Sequence, residues 1–316
     1  MQSACLKMIY ELAKKDPRVV FIGTDNAPGL LSDMQADMPD RFFMEGTWEA
    51  NLIGLASGLS ADGFIPFILN HATFITRLGY EQILLDSCLQ KRPVVLIGSG
   101  GGVATAHLGP THTAIEDMAI MRTIPGMTVI APCDADEVTR IMPLILDWPA
   151  SIYLRLAKYG KPIVSRPEPT AEIGKAILMR NATTQGRGVL IVSTGAMTHR
   201  ALAAAELLYK QEVDCTVLHF HTVKPLDQLT LIREARQARL LVTIEEHIFT
   251  GGLGSACLEV LADNISAREL PDIYRIALAD EFVQNYGSQD ALLEKFEMQP
   301  IGLAGRIARR IAQTAR

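Results

Sequence analysis

This chain offers little for a covalent or metal-bound framework. Its five cysteines, Cys5, Cys88, Cys133, Cys215 and Cys257, are odd in number, far apart and form no CxxC pair. That spacing suggests neither a zinc site nor a disulfide framework, and leaves reduced, mostly buried thiols of a cytoplasmic protein as the expectation. Long apolar runs are also missing: charge, Gly or Pro interrupts each of them well short of the roughly 18 residues of a membrane span. No Lys/Arg block exceeds two or three residues and the net charge is −5, which argues against nucleic-acid and anionic-membrane binding. The opening MQSACLKMIYELAKKDP lacks the continuous apolar stretch and small-residue cleavage site of a signal peptide. Its apolar positions recur at helical spacing instead, predicting an amphipathic helix from near Ser3 to just before Pro17. Nucleotide fingerprints are absent too, with no GxxxxGK[ST] and no GxGxxG between a strand and a helix. Neither a short-period repeat nor a low-complexity tract occurs.

What is present is apolar substance. The 316 residues are 48% hydrophobic and 21% charged, enough to bury substantial cores in two domains of about 150 residues each. Short β-rich runs alternate with longer helical patterns. RVVFIG (18–23), FIPFIL (64–69), PVVLIG (93–98), MTVIAP (127–132) and SIYLRL (151–156) read as buried parallel strands. Helical segments fall near 47–62, 73–90, 112–123 and 134–147. The proline-bearing and polar stretch 160–188 interrupts the pattern, so the domains are expected at 1–170 and 186–316. Beyond it the alternation restarts, with strands at 188–194, 214–220, 239–246 and 272–278 and helices near 197–211, 226–238, 252–264 and 301–315. The fold class is therefore α/β, two domains with mostly parallel sheets.

Several residues could carry chemistry. The Gly-rich loop GSGGGVATAHLGPTH (98–112) follows a predicted strand, on the side where open α/β sheets bind ligands. Gly100 and its neighbours permit close backbone approach but equally suit a turn. His112 could cap the following helix, while His107 in the same loop makes a polar ligand site more plausible. His219 and His221 alternate at a strand end and so face one side; with no third ligand nearby in sequence, structural hydrogen bonding is favoured over metal binding. Glu49, in the first turn of a helix, reads by itself as a carboxylate stabilising the helix dipole.

Longer stretches add context. FFMEGTWEANLIGLASGLSADGFIPFILNHATF, GPTHTAIEDMAIMRTIPGMTVIAPCDADE, LHFHTVKPLD and TIEEHIFTGGLGSACLEVLA together resemble transketolases and 1-deoxyxylulose-5-phosphate synthases over essentially the whole chain. The resemblance is strongest to the C-terminal subunits of split transketolases, and weaker to the β subunits of 2-oxo-acid dehydrogenases. It implies a pyrimidine-binding fold for thiamine diphosphate followed by a transketolase C-terminal-like domain. Such enzymes hold the cofactor's diphosphate through Mg²⁺ on a GDG motif, and no GDG occurs here. A separate diphosphate-binding N-terminal subunit, carrying the Mg²⁺ and pairing as α2β2, is thus implied, with no metal bound by this chain's own site.

The resemblance gives Glu49 the glutamate that hydrogen-bonds N1′ of the aminopyrimidine, favouring the tautomer that deprotonates the thiazolium. It places Asp25 near the cofactor, although an Asx-turn remains an open reading. Ile68, His71 and Phe74 fall where relatives stack aromatic rings, and His112 keeps its expected type. The substrate positions depart: Gly100 replaces a histidine, Leu108 an acid that meets a sugar hydroxyl, Gly29 a serine and Lys158 an arginine. Lys158 keeps a point charge without the guanidinium fork. With His107, these positions suggest a ketol or acyl transfer in which ordinary sugar phosphates are poor donors. A non-catalytic assembly subunit is the rival reading, against which the retained Glu49 weighs.

Overall fold

The structure is a computed structural model that describes residues 1–24, 29, 31–158, 162–167, 171–183 and 188–314. Twelve strands are found among these: β1 Val19–Gly23, β2 Phe42–Met44, β3 Ile65–His71, β4 Val95–Ser99, β5 Met127–Ile130, β6 Ser151–Leu156, β7 Ile177–Arg180, β8 Gly188–Ser193, β9 Cys215–His219, β10 Thr222–Lys224, β11 Ala238–Ile248 and β12 Asp272–Leu278. They form a seven-stranded sheet in the order β10-β5-β6-β4-β3-β1-β2 and a five-stranded sheet in the order β12-β11-β8-β9-β7. Each sheet is parallel except at one edge, where β10 pairs antiparallel with β5 and β7 with β9. The fold is thus the expected pair of mostly parallel α/β sheets.

Strand alternation explains the layering. Phe21, Val95 and Ile97 face one side of the first sheet, packed with Leu6 and Ile9 of the amino-terminal helix and Val138 and Ile141 of Ala135–Ile145. Ile22, Leu96 and Tyr153 face the other, where helices Glu49–Ala61 and Asp117–Thr123 bring Leu52, Ile53, Met118 and Met121. The second sheet repeats the arrangement, with Val189 and Ile191 toward one core and Leu190 and Val192 toward the other. Burial on both faces is why these strands read as continuous apolar runs.

Three features were not visible in the apolar pattern. Strands β2, β7 and β10 are three or four residues long, too short to show a period. Strand β10 follows β9 in sequence yet completes the edge of the first sheet, so the second half of the chain contributes to both sheets. The single helix expected over 73–90 is instead Ala72–Arg77, Tyr80–Gln82 and a wider π-turn at Ile83–Leu89. The break falls at Gly79, where a Cβ would lie 2.1 Å from Ile53 Cδ1, so close contact with the neighbouring helix occupies the space of any larger residue. No described helix is long and apolar enough to cross a membrane.

Candidate active site

The carboxyl ends of β1, β3 and β4 lie side by side, with Gly23 opposite Leu69 and His71 opposite Ser99. Glu49 starts the helix that packs beneath this edge and is only 4% exposed. Asn70, near the end of β3 and also buried, donates from Nδ2 to Glu49 Oε1 at 2.9 Å. Its own Oδ1 accepts the His71 N–H at 2.7 Å, which fixes the amide's orientation. A buried carboxylate is thus held by a hydrogen bond and by the helix amino terminus, with Leu52, Ile53 and Ala56 providing the apolar interior behind it. Asn70 escaped the sequence reading; the signal was one amide inside the otherwise apolar run FILNH.

A cluster of rings starts at His71, the residue after Asn70. His71 lies 5.5 Å from Phe74 and 5.5 Å from His112, and Phe74 lies 5.0 Å from His112, all centroid to centroid and edge to face. Chain turns bring the first two together, whereas His112 comes from the Gly-rich loop. Ile68 is not in the ring cluster: it is fully buried in the core that also holds Leu52 and Ile53. Strand alternation is the reason, since residue 68 points to the face covered by helix Glu49–Ala61.

The loop following β4 gathers the remaining positions. Gly100 adopts φ +80°, and a Cβ there would sit 3.1 Å from Thr105 Cγ2 and 3.9 Å from Lys158 Cδ, so Lys158 runs alongside. His112 is half-buried with Nδ1 2.9 Å from Thr111 Oγ1. Burial, then the charges of Lys158 and His107, lower its pKa below the usual histidine value and favour the neutral ring. His107 and Leu108 lie on the exposed turn Ala106–Leu108, with Leu108 45% exposed. Gly29 is exposed at φ +82° with nothing among the described residues near its Cβ position, and Asp25 lies outside the described residues.

Groups from the second half of the chain hold this loop. Glu246 on β11 accepts the Val103 N–H at 2.7 Å, and Gln289 Nε2 donates to both of its carboxylate oxygens at 2.8 and 2.9 Å. Gly102 has φ +73°, and a Cβ there would be 2.4 Å from Glu246 Oε1. Farther along, Arg155 Nε donates to Asp117 at 2.7 Å, while its Nη2 reaches the carbonyls of Ala114 and Glu246. Tyr153 also donates to Asp117, at 2.6 Å. None of these five side chains was marked by the sequence pattern, because their partners are 36 to 143 residues away.

A buried carboxylate and a set of flat rings near the carboxyl edge of a parallel sheet, where open α/β sheets place their ligand crevices, mark the candidate site of an α/β protein. The chain belongs to the transketolase family. Residues 1–159 match the family described as transketolase, pyrimidine binding domain, and residues 180–302 match transketolase, C-terminal domain. It is 39% identical to an uncharacterized transketolase family protein of Sinorhizobium fredii, over 86% of this chain and 78% of that protein. It is 35% identical to a 6-deoxy-6-sulfo-D-fructose transketolase subunit of a Clostridium strain, over 94% of this chain and 89% of the other. A split-gene transketolase, solved as an inactive β4 tetramer, superposes with a TM-score of 0.87 at 32% identity, covering 98% of this chain and 97% of that one.

Proposed function

We propose that this chain is the pyrimidine-binding, C-terminal half of a two-chain transketolase-like transferase dependent on thiamine diphosphate. With an N-terminal diphosphate-binding subunit it moves a ketol or acyl unit from a ketose or 2-oxo acid to an aldehyde or ketone. The observation that supports this most is the Glu49–Asn70 pair leading into the His71, Phe74 and His112 rings. An aminopyrimidine needs a carboxyl partner for a ring nitrogen and a flat neighbour for its face, and these residues fit both needs. When bound, thiamine diphosphate supplies the carbon nucleophile and electron sink. Glu49 holds and moves the proton at N1′, Asn70 keeps its carboxyl aligned, and Phe74 and His71 offer ring surfaces. His112, held neutral, hydrogen-bonds the donor. Mg²⁺ and the diphosphate belong to the partner, since no GDG is present here.

Gly100 and Leu108 give no side-chain hydrogen bond to donor hydroxyls, whereas Lys158 beside Gly100 offers a point charge to an anionic group. Together they favour a donor less hydroxylated near the reacting carbon, such as pyruvate, or a modified sugar. A related subunit named for a sulfonated sugar supports the second alternative. The decisive experiment is titration with thiamine diphosphate and Mg²⁺, with the chain alone and mixed with a GDG-bearing subunit. Tight binding and turnover are expected only in the mixture; robust turnover by this chain alone would overturn the reading.

A further inference from the structure

A second cluster of titratable groups lies away from this site, between the two sheets. Cys133 and Glu137 come from the connection after β5 and the first turn of helix Ala135–Ile145, while His219 ends β9 of the other sheet. All three side chains are buried without measurable exposure, and one ligand atom from each lies within 4.8 Å of the others. His219 Nε2 is 2.9 Å from Glu137 Oε2, which also accepts the Cys133 N–H at 2.6 Å. The opposite carboxylate oxygen, Glu137 Oε1, has no hydrogen-bond partner among the described residues. His221, with its ring 6.0 Å from that of His219, is equally buried, and its Nε2 also lacks a partner among the described residues.

Three features favour a cation here over a plain ion pair. The set combines thiolate, imidazole and carboxylate, the donors that zinc and its borderline neighbours take. His219 has its Nδ1 tied to the Thr198 hydroxyl at 2.7 Å, leaving Nε2 as the ligand nitrogen. Such outer hydrogen bonds are what orient metal-bound imidazoles. Finally, Glu137 Oε1, a sealed polar atom without a partner among the described residues, would be destabilising unless something satisfies it. We infer that Cys133, Glu137 and His219 form a structural three-residue site for zinc or a similar divalent cation that clips the two sheets together. Uptake displaces the Cys133 thiol proton, because the thiolate is the form that ligates a cation. Because no ligand reaches solvent, the ion enters during folding, before the halves dock.

The test uses the full-length chain. Metal content is measured after expression, after dialysis of the native protein against EDTA, and after unfolding with EDTA and refolding with or without zinc. Near-stoichiometric zinc that survives native dialysis, is lost on unfolding and raises Tm when restored is expected, as is its loss in Cys133→Ser. Refolding with cobalt should give a thiolate-to-cobalt absorption band, which tests Cys133 even where Cys133→Ser fails to fold. Absence of copurified metal with equal Tm in zinc and EDTA overturns the inference. Zinc retained in a folded Cys133→Ser variant, or cobalt bound without the thiolate band, overturns it equally.

Discussion

At the residue scale the proposed function rests on a carboxyl group that a neutral isostere can imitate in shape but not in proton exchange. Glu49→Gln keeps a hydrogen bond to Asn70 after rotation of the new amide, yet cannot cycle a proton at the cofactor. In the two-subunit complex, C2–H exchange of bound thiamine diphosphate, followed by NMR, should slow by about 10²–10⁴-fold. Cofactor affinity should fall much less, and unchanged exchange would return Glu49 to a helix-dipole role. Donor choice is the second residue-scale outcome. A donor hydroxyl buried against Leu108 in the assembled complex and left without a partner costs roughly 1–3 kcal/mol, or about five- to 160-fold in kcat/KM. A donor panel should therefore show poor use of xylulose 5-phosphate and fructose 6-phosphate, with improvement in Leu108→Asp. A wild type that prefers xylulose 5-phosphate to every other donor would show that His107 or the partner supplies the missing bond.

At the scale of elements, the Gly-rich loop is shaped by the second half of the chain. Glu246→Ala leaves the buried Val103 N–H without its acceptor and frees the near end of the loop. A displacement of about 1 Å at His112 can cost up to about 100-fold in rate, so kcat/KM should fall while Glu246→Gln, which retains an acceptor oxygen, recovers part of it. Equal losses in both variants would show that the contact does not position the loop. The far end of the loop depends on Asp117. Burial raises its pKa, but the charge and hydrogen bond of Arg155 outweigh that and hold it below the ordinary 3.8. A carboxyl lowered on folding contributes stability that is fully present above its unfolded pKa and is lost as pH falls through the folded value. Asp117→Asn leaves Arg155 buried without its counter-charge and should cost about 3–5 kcal/mol at neutral pH. The gap in stability between wild type and variant, followed by thermal unfolding, should stay constant near neutrality and narrow only below about pH 3.8.

For the whole molecule, the proposed function makes assembly a condition of activity. The related split chain forms an inactive tetramer of its own subunit, and this chain exposes Trp48, Phe282 and Tyr286 at 74, 79 and 70%. Exposed aromatics are common anchors of interfaces. Light scattering should find the isolated chain as an inactive homo-oligomer, and mixing with the diphosphate-binding subunit should convert it to an α2β2 complex with activity. A monomer that stays monomeric after mixing would contradict this.

The sequence by itself determined the two-sheet α/β architecture, because strands buried on both faces must be apolar throughout and the helices between them periodic. Strands β1, β3, β4, β6, β8 and β12 lie within a residue or two of their apolar runs. Glu49 and His112 stood out as candidates only through the resemblance carried by whole motifs; alone, a carboxylate in a first helical turn has an ordinary explanation. What tertiary structure decided was partnership. Asn70 on Glu49, Glu246 on Val103 and Arg155 on Asp117 are hydrogen bonds across 21, 143 and 38 residues, and no local period records them. Strand β10 joins the other sheet for the same reason: three residues carry no pattern, and the open edge of β5 decides where they pair. Cys133 and Glu137 likewise become neighbours of His219 only when the two sheets dock, because ligand atoms 82 residues apart meet through packing and not through spacing.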